Sequence, residues 1–181
     1  MAITLDGTTG ITTPDLTSVD DITANSATVL TTASSLTAGN LTGSVPASAM
    51  PAGSVIQVVT AGHTGAVGTS NTSITATGRY IDIAPLFTTS TIVITVSSTF
   101  YKDGGSGHFY IYRDGSVLLH RAQSGSGLTF YGPTTLVAYD VPNTTSSVRY
   151  EVYLSNNSGT GIYFPPGGAD TTRFIAMEIA A

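Results

Sequence analysis

The residues of this chain that could do chemistry are few and dispersed. Its three histidines, His63, His108 and His120, are separated by long intervals, and none of those intervals is the short spacing of a zinc site. They are expected to lie far from one another, as ordinary surface or core side chains. A three-fold axis is the one arrangement that would gather a single histidine into a ring of three. Ser106 and Ser126 sit among glycines in GGSGH and SGSGL. Neither stretch is a G-x-S-x-G elbow, and neither precedes the lysine and helix that a phosphate cradle needs. Both read as hairpin loops.

The acidic residues beyond residue 78 are Asp82, Asp103, Asp114, Asp140, Glu151, Asp170 and Glu178. They could meet in many ways, so spacing singles out no acid–base pair of the glycosidase kind. Asp15, Asp20 and Asp21 lack the glycine and terminal glutamate of a calcium loop and read as a solvated acidic patch. No catalytic residue, metal site or cofactor is expected. Four N-x-[ST] triplets begin at Asn40, Asn71, Asn143 and Asn156, as a threonine-rich composition produces anyway. Tyr131, Tyr139 and Tyr163, together with Tyr153, fall on or beside expected turns, where an aromatic face could stack on a sugar ring. Packing is the favoured use, because outward tyrosines on a sheet commonly pair across strands or fill a subunit contact.

Composition narrows the partners. Only 9% of the 181 residues are charged, against about 25% in an average soluble chain. The net charge is −5, Lys102 is the single lysine, and the arginines are scattered, so no basic stripe follows a phosphate backbone. Nucleic acid is not an expected partner. There is no cysteine, which removes thiolate metal sites and cysteine nucleophiles together. No run of about 18 apolar residues occurs and MAITLDGTTG lacks the form of a signal peptide, so neither membrane insertion nor signalled export is expected.

The elements that must position these residues are unevenly distributed. Nine tyrosines and six phenylalanines all lie between Tyr80 and Phe174, and Arg79 is the first arginine or lysine. Before them, isolated apolar residues such as Ile3, Leu5, Ile11 and Leu16 stand between turn formers and fit no long helix. Residues 1–53 are expected to be an extended arm and linker ordered by partners, the alternative being a flexible linker throughout, and 54–181 a β-domain. Nine short runs make up that domain: 55–59, 80–83, 91–100, 108–113, 116–121, 135–141, 148–154, 162–164 and 173–179. Their Thr, Val, Ile and Tyr content and frequent turns favour an antiparallel sandwich or barrel. In VRYEVYL, residues 148–154, Val148, Tyr150, Val152 and Leu154 share one face. Asp114-Gly115 between two alternating runs predicts a two-residue hairpin. In 91–100 the near-continuous Ile92, Val93, Ile94 and Val96 predict a strand covered on both faces.

The segment LTAGNLTGSVPASAMPAGSVIQVV, residues 36–59, resembles the modules that join shaft to head in bacteriophage fibre and virion-surface proteins. The opening ITLDGTTGITTPDL is similar to the N-termini of such fibres. The domain that follows resembles small trimeric jelly-roll heads. These resemblances imply an all-β homotrimer: an N-terminal arm held by capsid or tail proteins and a jelly-roll head on the virion surface. They imply a non-enzymatic structural protein, a capsid decoration or short fibre. The alternative is a tail-fibre tip binding host glycans, and a virion-associated depolymerase is the least favoured.

Overall fold

The computed structural model describes residues 46–124 and 129–181. The expected arm lies outside them except for residues 46–53, which hold one 3₁₀ turn at Ala47–Ala49. Val45–Ala181 forms one compact unit.

Ten strands run through the described residues: β1 Val55–Thr64, β2 Gly68–Thr69, β3 Thr75–Ile83, β4 Thr91–Asp103, β5 Ser106–Arg113, β6 Ser116–Ser124, β7 Thr129–Asp140, β8 Val148–Asn156, β9 Gly161–Tyr163 and β10 Thr171–Ile179. All strand pairs are antiparallel. Leaving aside the short β2 and β9, the pairing is nested. β1 pairs with β10, β3 with β8, β4 with β7, and β5 with β6. A long antiparallel ribbon rolled on itself in this way is a jelly roll, as expected.

One sheet runs β1-β10-β4 and carries β7 on the far side of β4; the other runs β3-β8-β5-β6. The thirteen-residue β4 pairs with β7 from Ile92 to Asp103. Its opposite flank is shared, with β10 beside Thr91–Ser97 and β9 beside Tyr101–Asp103. β2 completes the first sheet beyond β9.

Alternation puts the core between the sheets. Ile92, Ile94, Val96 and Phe100 of β4 join Leu136, Ala138, Phe174 and Ala176, all almost fully buried. They face Ile81, Ile83, Phe109 and Ile111, together with Val148, Tyr150, Val152 and Leu154, so VRYEVYL shows the inner face its pattern predicts. Phe109 packs edge-on between Phe100 and Phe164, at 5.3 and 5.4 Å between ring centres. Each such side chain contributes about 1.5–3 kcal/mol on burial. Asp114 and Gly115 form the expected turn, both at positive φ (45° and 88°) as the tight hairpin requires.

Most of the charged groups drawn into the sandwich are matched, while Ser90 Oγ and Asn156 Oδ1 are buried without a hydrogen-bond partner among the described residues. Asp140 of β7 takes Arg113 Nη1 of β5 at 2.9 Å and the buried Tyr150 hydroxyl of β8 at 2.8 Å, joining the two sheets. Burial and the Asp140 carboxylate push the Tyr150 phenol well above its ordinary pKa. Glu178, fully buried, accepts the backbone N–H groups of Leu86 and Phe87 and the Gln57 amide. Lys102 is 1% exposed, and its ammonium donates to the carbonyls of Asp103, Gly104 and Ser158. The only lysine of the chain thus ties two loops together from within.

Candidate functional site

Residues pointing away from the core separate the two sheets. On the first sheet, the register β1-β10-β4-β7 brings Val55, Val58, Ile175, Met177, Ile179, Val93, Val137 and Tyr139 onto one outward surface. Val58 is 56% exposed and Tyr139 70%, and Val55, Val137 and Ile175 are exposed as well. β10 buries Phe174, Ala176 and Glu178 and turns its larger aliphatic set outward. β4 likewise buries Ile92, Ile94 and Val96, leaving Val93 and Thr95 half-buried on the outer side. Where Gly62 lacks a side chain opposite Arg173, a shallow groove of about 300 Å³ opens between Thr60 and Ile175.

At the far end of β4 this surface becomes a row of tyrosines. Tyr101 is in register with Tyr131 of β7 on one side and Tyr163 of β9 on the other. The Tyr101 and Tyr163 rings lie 5.8 Å apart, and Tyr163 packs over Gly68, where an added Cβ would fall 2.3 Å from the ring. Asp170 accepts the Thr99 hydroxyl at 2.9 Å, the Tyr131 hydroxyl at 3.2 Å and the Gly167 N–H at 3.2 Å. The structure therefore unites Tyr131 and Tyr163 but leaves Tyr139 eight residues along β7, about 27 Å away. All three lie on strands, with Tyr163 at the end of β9, Tyr139 next to the end of β7 and Tyr131 near its start. Tyr101 and Asp170 complete the row. Tyr101 was traceable by extending the alternation Val93, Thr95, Ser97, Thr99, whereas Asp170 comes from a loop with no periodic signal.

The second sheet presents a different outer surface. Arg149 meets both Asp82 oxygens at 2.8 Å and lies over the Tyr80 ring, 3.7 Å from its centre. The Arg149 hydrogen bond holds the Asp82 carboxyl below its usual range. Glu151 accepts the Gly78 N–H at 2.9 Å. Tyr153, the fourth tyrosine singled out, sits mid-strand on β8 and stacks on Tyr112 at 4.1 Å.

The expectation that the histidines lie far apart fails for two of them. His108 Nδ1 is 2.7 Å from His120 Nε2, beside Tyr110. A bulge at Ile111/Tyr112 pairs Tyr110 with His120 and His108 with Ala122. Without it, the two-residue turn would place His120 opposite Phe109 and send its ring toward the core. His63 stands apart, with Nε2 2.6 Å from the Tyr80 carbonyl.

The carboxylates are spread among separate structural tasks. Asp82, Asp140, Asp170 and Glu178 are engaged as described, and Asp103 accepts the Thr129 and Thr160 hydroxyls, which hold its carboxyl below the usual range. Among the described residues, no group of three or more His, Cys, Asp or Glu side chains could hold a metal ion, and no helix is long and apolar enough to cross a membrane.

No family model matches the chain, and no curated protein matches it. Among solved structures it is similar to the Eiger TNF from S. frugiperda, at 15% identity over 68% of this chain and 93% of that one, with a TM-score of 0.43. Dimeric latent PorU from Porphyromonas gingivalis is matched at 11% identity over 72% of this chain, with a TM-score of 0.36. The VP2 subviral particle of infectious bursal disease virus is matched at 15% identity over 71% of this chain, with a TM-score of 0.33. The chain spans 14% of the PorU chain and 39% of the VP2 chain. At these identities and scores none of the three bears on function.

Proposed function

We propose that this protein is a non-enzymatic structural component of a bacteriophage virion surface. It is a homotrimer whose heads meet through the outward face of β1, β10, β4 and β7, and whose residues 1–53 anchor it to capsid or tail proteins. The observation that carries the reading is that outward face. Val55, Val58, Val137, Tyr139 and Ile175 are exposed together on neighbouring strands. Contiguous apolar surface of this kind marks a contact with another protein. Because its centre carries no charge, the face can meet a copy of itself without like-charge cost. The resemblance of residues 36–59 to shaft–head junctions supports the phage assignment. Gold-labelled protein imaged on intact particles tests it: label at regular positions on capsid or tail supports the reading, and no label on particles counts against it.

A second reading has its own observation. The row Tyr131–Tyr101–Tyr163, with the Asp170 carboxylate bonded to Tyr131, combines aromatic rings and an acceptor as a sugar site does. This reading is a host-glycan-binding fibre tip. A glycan array probed with the full chain tests it, since specific binding lost in Tyr131→Ala would favour the tip over a purely structural role.

A further inference from the structure

Neither reading uses His108 and His120, which the hairpin bulge brings together on the outer surface of the second sheet. Their rings are fixed by their surroundings. Tyr110 lies parallel to His120, at 8° and 4.7 Å, and its ring centre is 6.1 Å from that of His108. The backbones belong to adjacent paired strands. The facing nitrogens, Nδ1 of His108 and Nε2 of His120, stand 2.7 Å apart, close enough to share one proton.

We propose that this pair is a divalent transition-metal site, suited to Cu²⁺ or Ni²⁺, which would enter between the two nitrogens. With metal–nitrogen bonds of about 2.0–2.1 Å, two cis ligands at a right angle stand about 2.9 Å apart, and at a tetrahedral angle about 3.4 Å. The observed 2.7 Å needs only a small opening to reach the first value. With the ring centres held 4.8 Å apart, a metal bonded to both rings would see them at about 95–100° and set the nitrogens about 3.1 Å apart, so the pair opens by about 0.2–0.4 Å on binding. Near-right angles between nitrogen ligands belong to tetragonal Cu²⁺ and Ni²⁺, and Cu²⁺ binds tightest in the divalent series.

Both rings remain neutral in the complex, because the shared proton passes through solvent to the donor ring's other nitrogen. His120 is exposed, so water can fill the remaining positions.

Calorimetric titration of the full chain with CuSO₄, NiCl₂ and ZnCl₂ in a non-coordinating buffer tests the site. One equivalent of Cu²⁺ per chain is expected, with His108→Asn and His120→Asn each weakening it at least tenfold and His63→Asn leaving it unchanged. Electron paramagnetic resonance of the copper complex should show an axial signal with coupling to two nitrogens. Should His108→Asn fail to fold, the exposed His120→Asn and the resonance signal decide the matter. Binding that is equally tight in His120→Asn, or a preference for Zn²⁺ over Cu²⁺, would overturn the assignment.

Discussion

The two outward faces of this sandwich are built by the same alternation and end in opposite chemistry. On β3-β8-β5-β6 the outer residues include Asp82 paired with Arg149, Glu151, two histidines and a stack of tyrosines, most of them bonded to one another. On β1-β10-β4-β7 the outer residues include the apolar group Val55, Val58, Val93, Val137, Tyr139, Ile175, Met177 and Ile179, interspersed with the uncharged Thr60, Thr95, Ser97 and Thr135 and bordered by Arg173. Inner faces must be apolar in any sandwich, so only outer faces distinguish a sheet destined for water from one destined for another protein. The contrast teaches that partner choice here is written on the side of the strand that does not fold the domain.

The largest expected effect breaks that contrast directly. Val137→Arg places a charge in the apolar face, and an unpaired buried charge costs about 3–5 kcal/mol in each copy, so assembly should be lost. Val117→Arg makes the same change on exposed β6 of the other sheet and should leave the assembled mass unaltered. Size-exclusion chromatography with light scattering compares the two.

Next in size is the joint between the sheets. Asp140→Ala strips the partner from Arg113 and from the buried Tyr150 hydroxyl and should lower the free energy of unfolding by about 3 kcal/mol. Denaturant titration would show this with little change in assembled mass. Gly68→Ala follows: its Cβ would meet the Tyr163 ring at 2.3 Å and the Ile162 carbonyl at 2.6 Å. A cost of about 1–3 kcal/mol is expected, together with loss of the tyrosine row's geometry.

The smallest effect sharpens the picture of the watery face. Asp82 has its folded pKa depressed by Arg149, so its stabilisation is present above its ordinary pKa of 3.8 and disappears as pH falls through the lower, folded value. Both partners are substantially exposed, at 47% and 40%, so solvent screens the pair and its contribution is small. Asp82→Asn should flatten the acid limb of a melting-temperature profile slightly, and added salt should shrink the difference.

Much of the fold could be read from residues alone. Strict alternation in 148–154 names its inner face, Asp114-Gly115 names its hairpin, and the apolar succession at 92–96 names a strand, whose expected cover on both faces is met inside the sandwich while the outer Val93 and Thr95 stay half-buried. Other features had no such signal. β10 offers Ile175, Met177 and Ile179 on one side and Phe174, Ala176 and Glu178 on the other, and burying the side with a carboxylate becomes reasonable only once the N–H groups of Leu86 and Phe87 are there to receive it. The histidine pair depends on a one-residue bulge that reverses which way His120 points. The interior position of Lys102 rests on carbonyls from a loop more than fifty residues away, at Ser158.

Sedimentation velocity of the full chain at micromolar concentration puts the central claim at most risk. A single species of three times 18.5 kDa, abolished by Val137→Arg, is the predicted result. A stable 18.5 kDa monomer indifferent to that substitution would contradict it, because the apolar face would then stand in water with nothing to cover it.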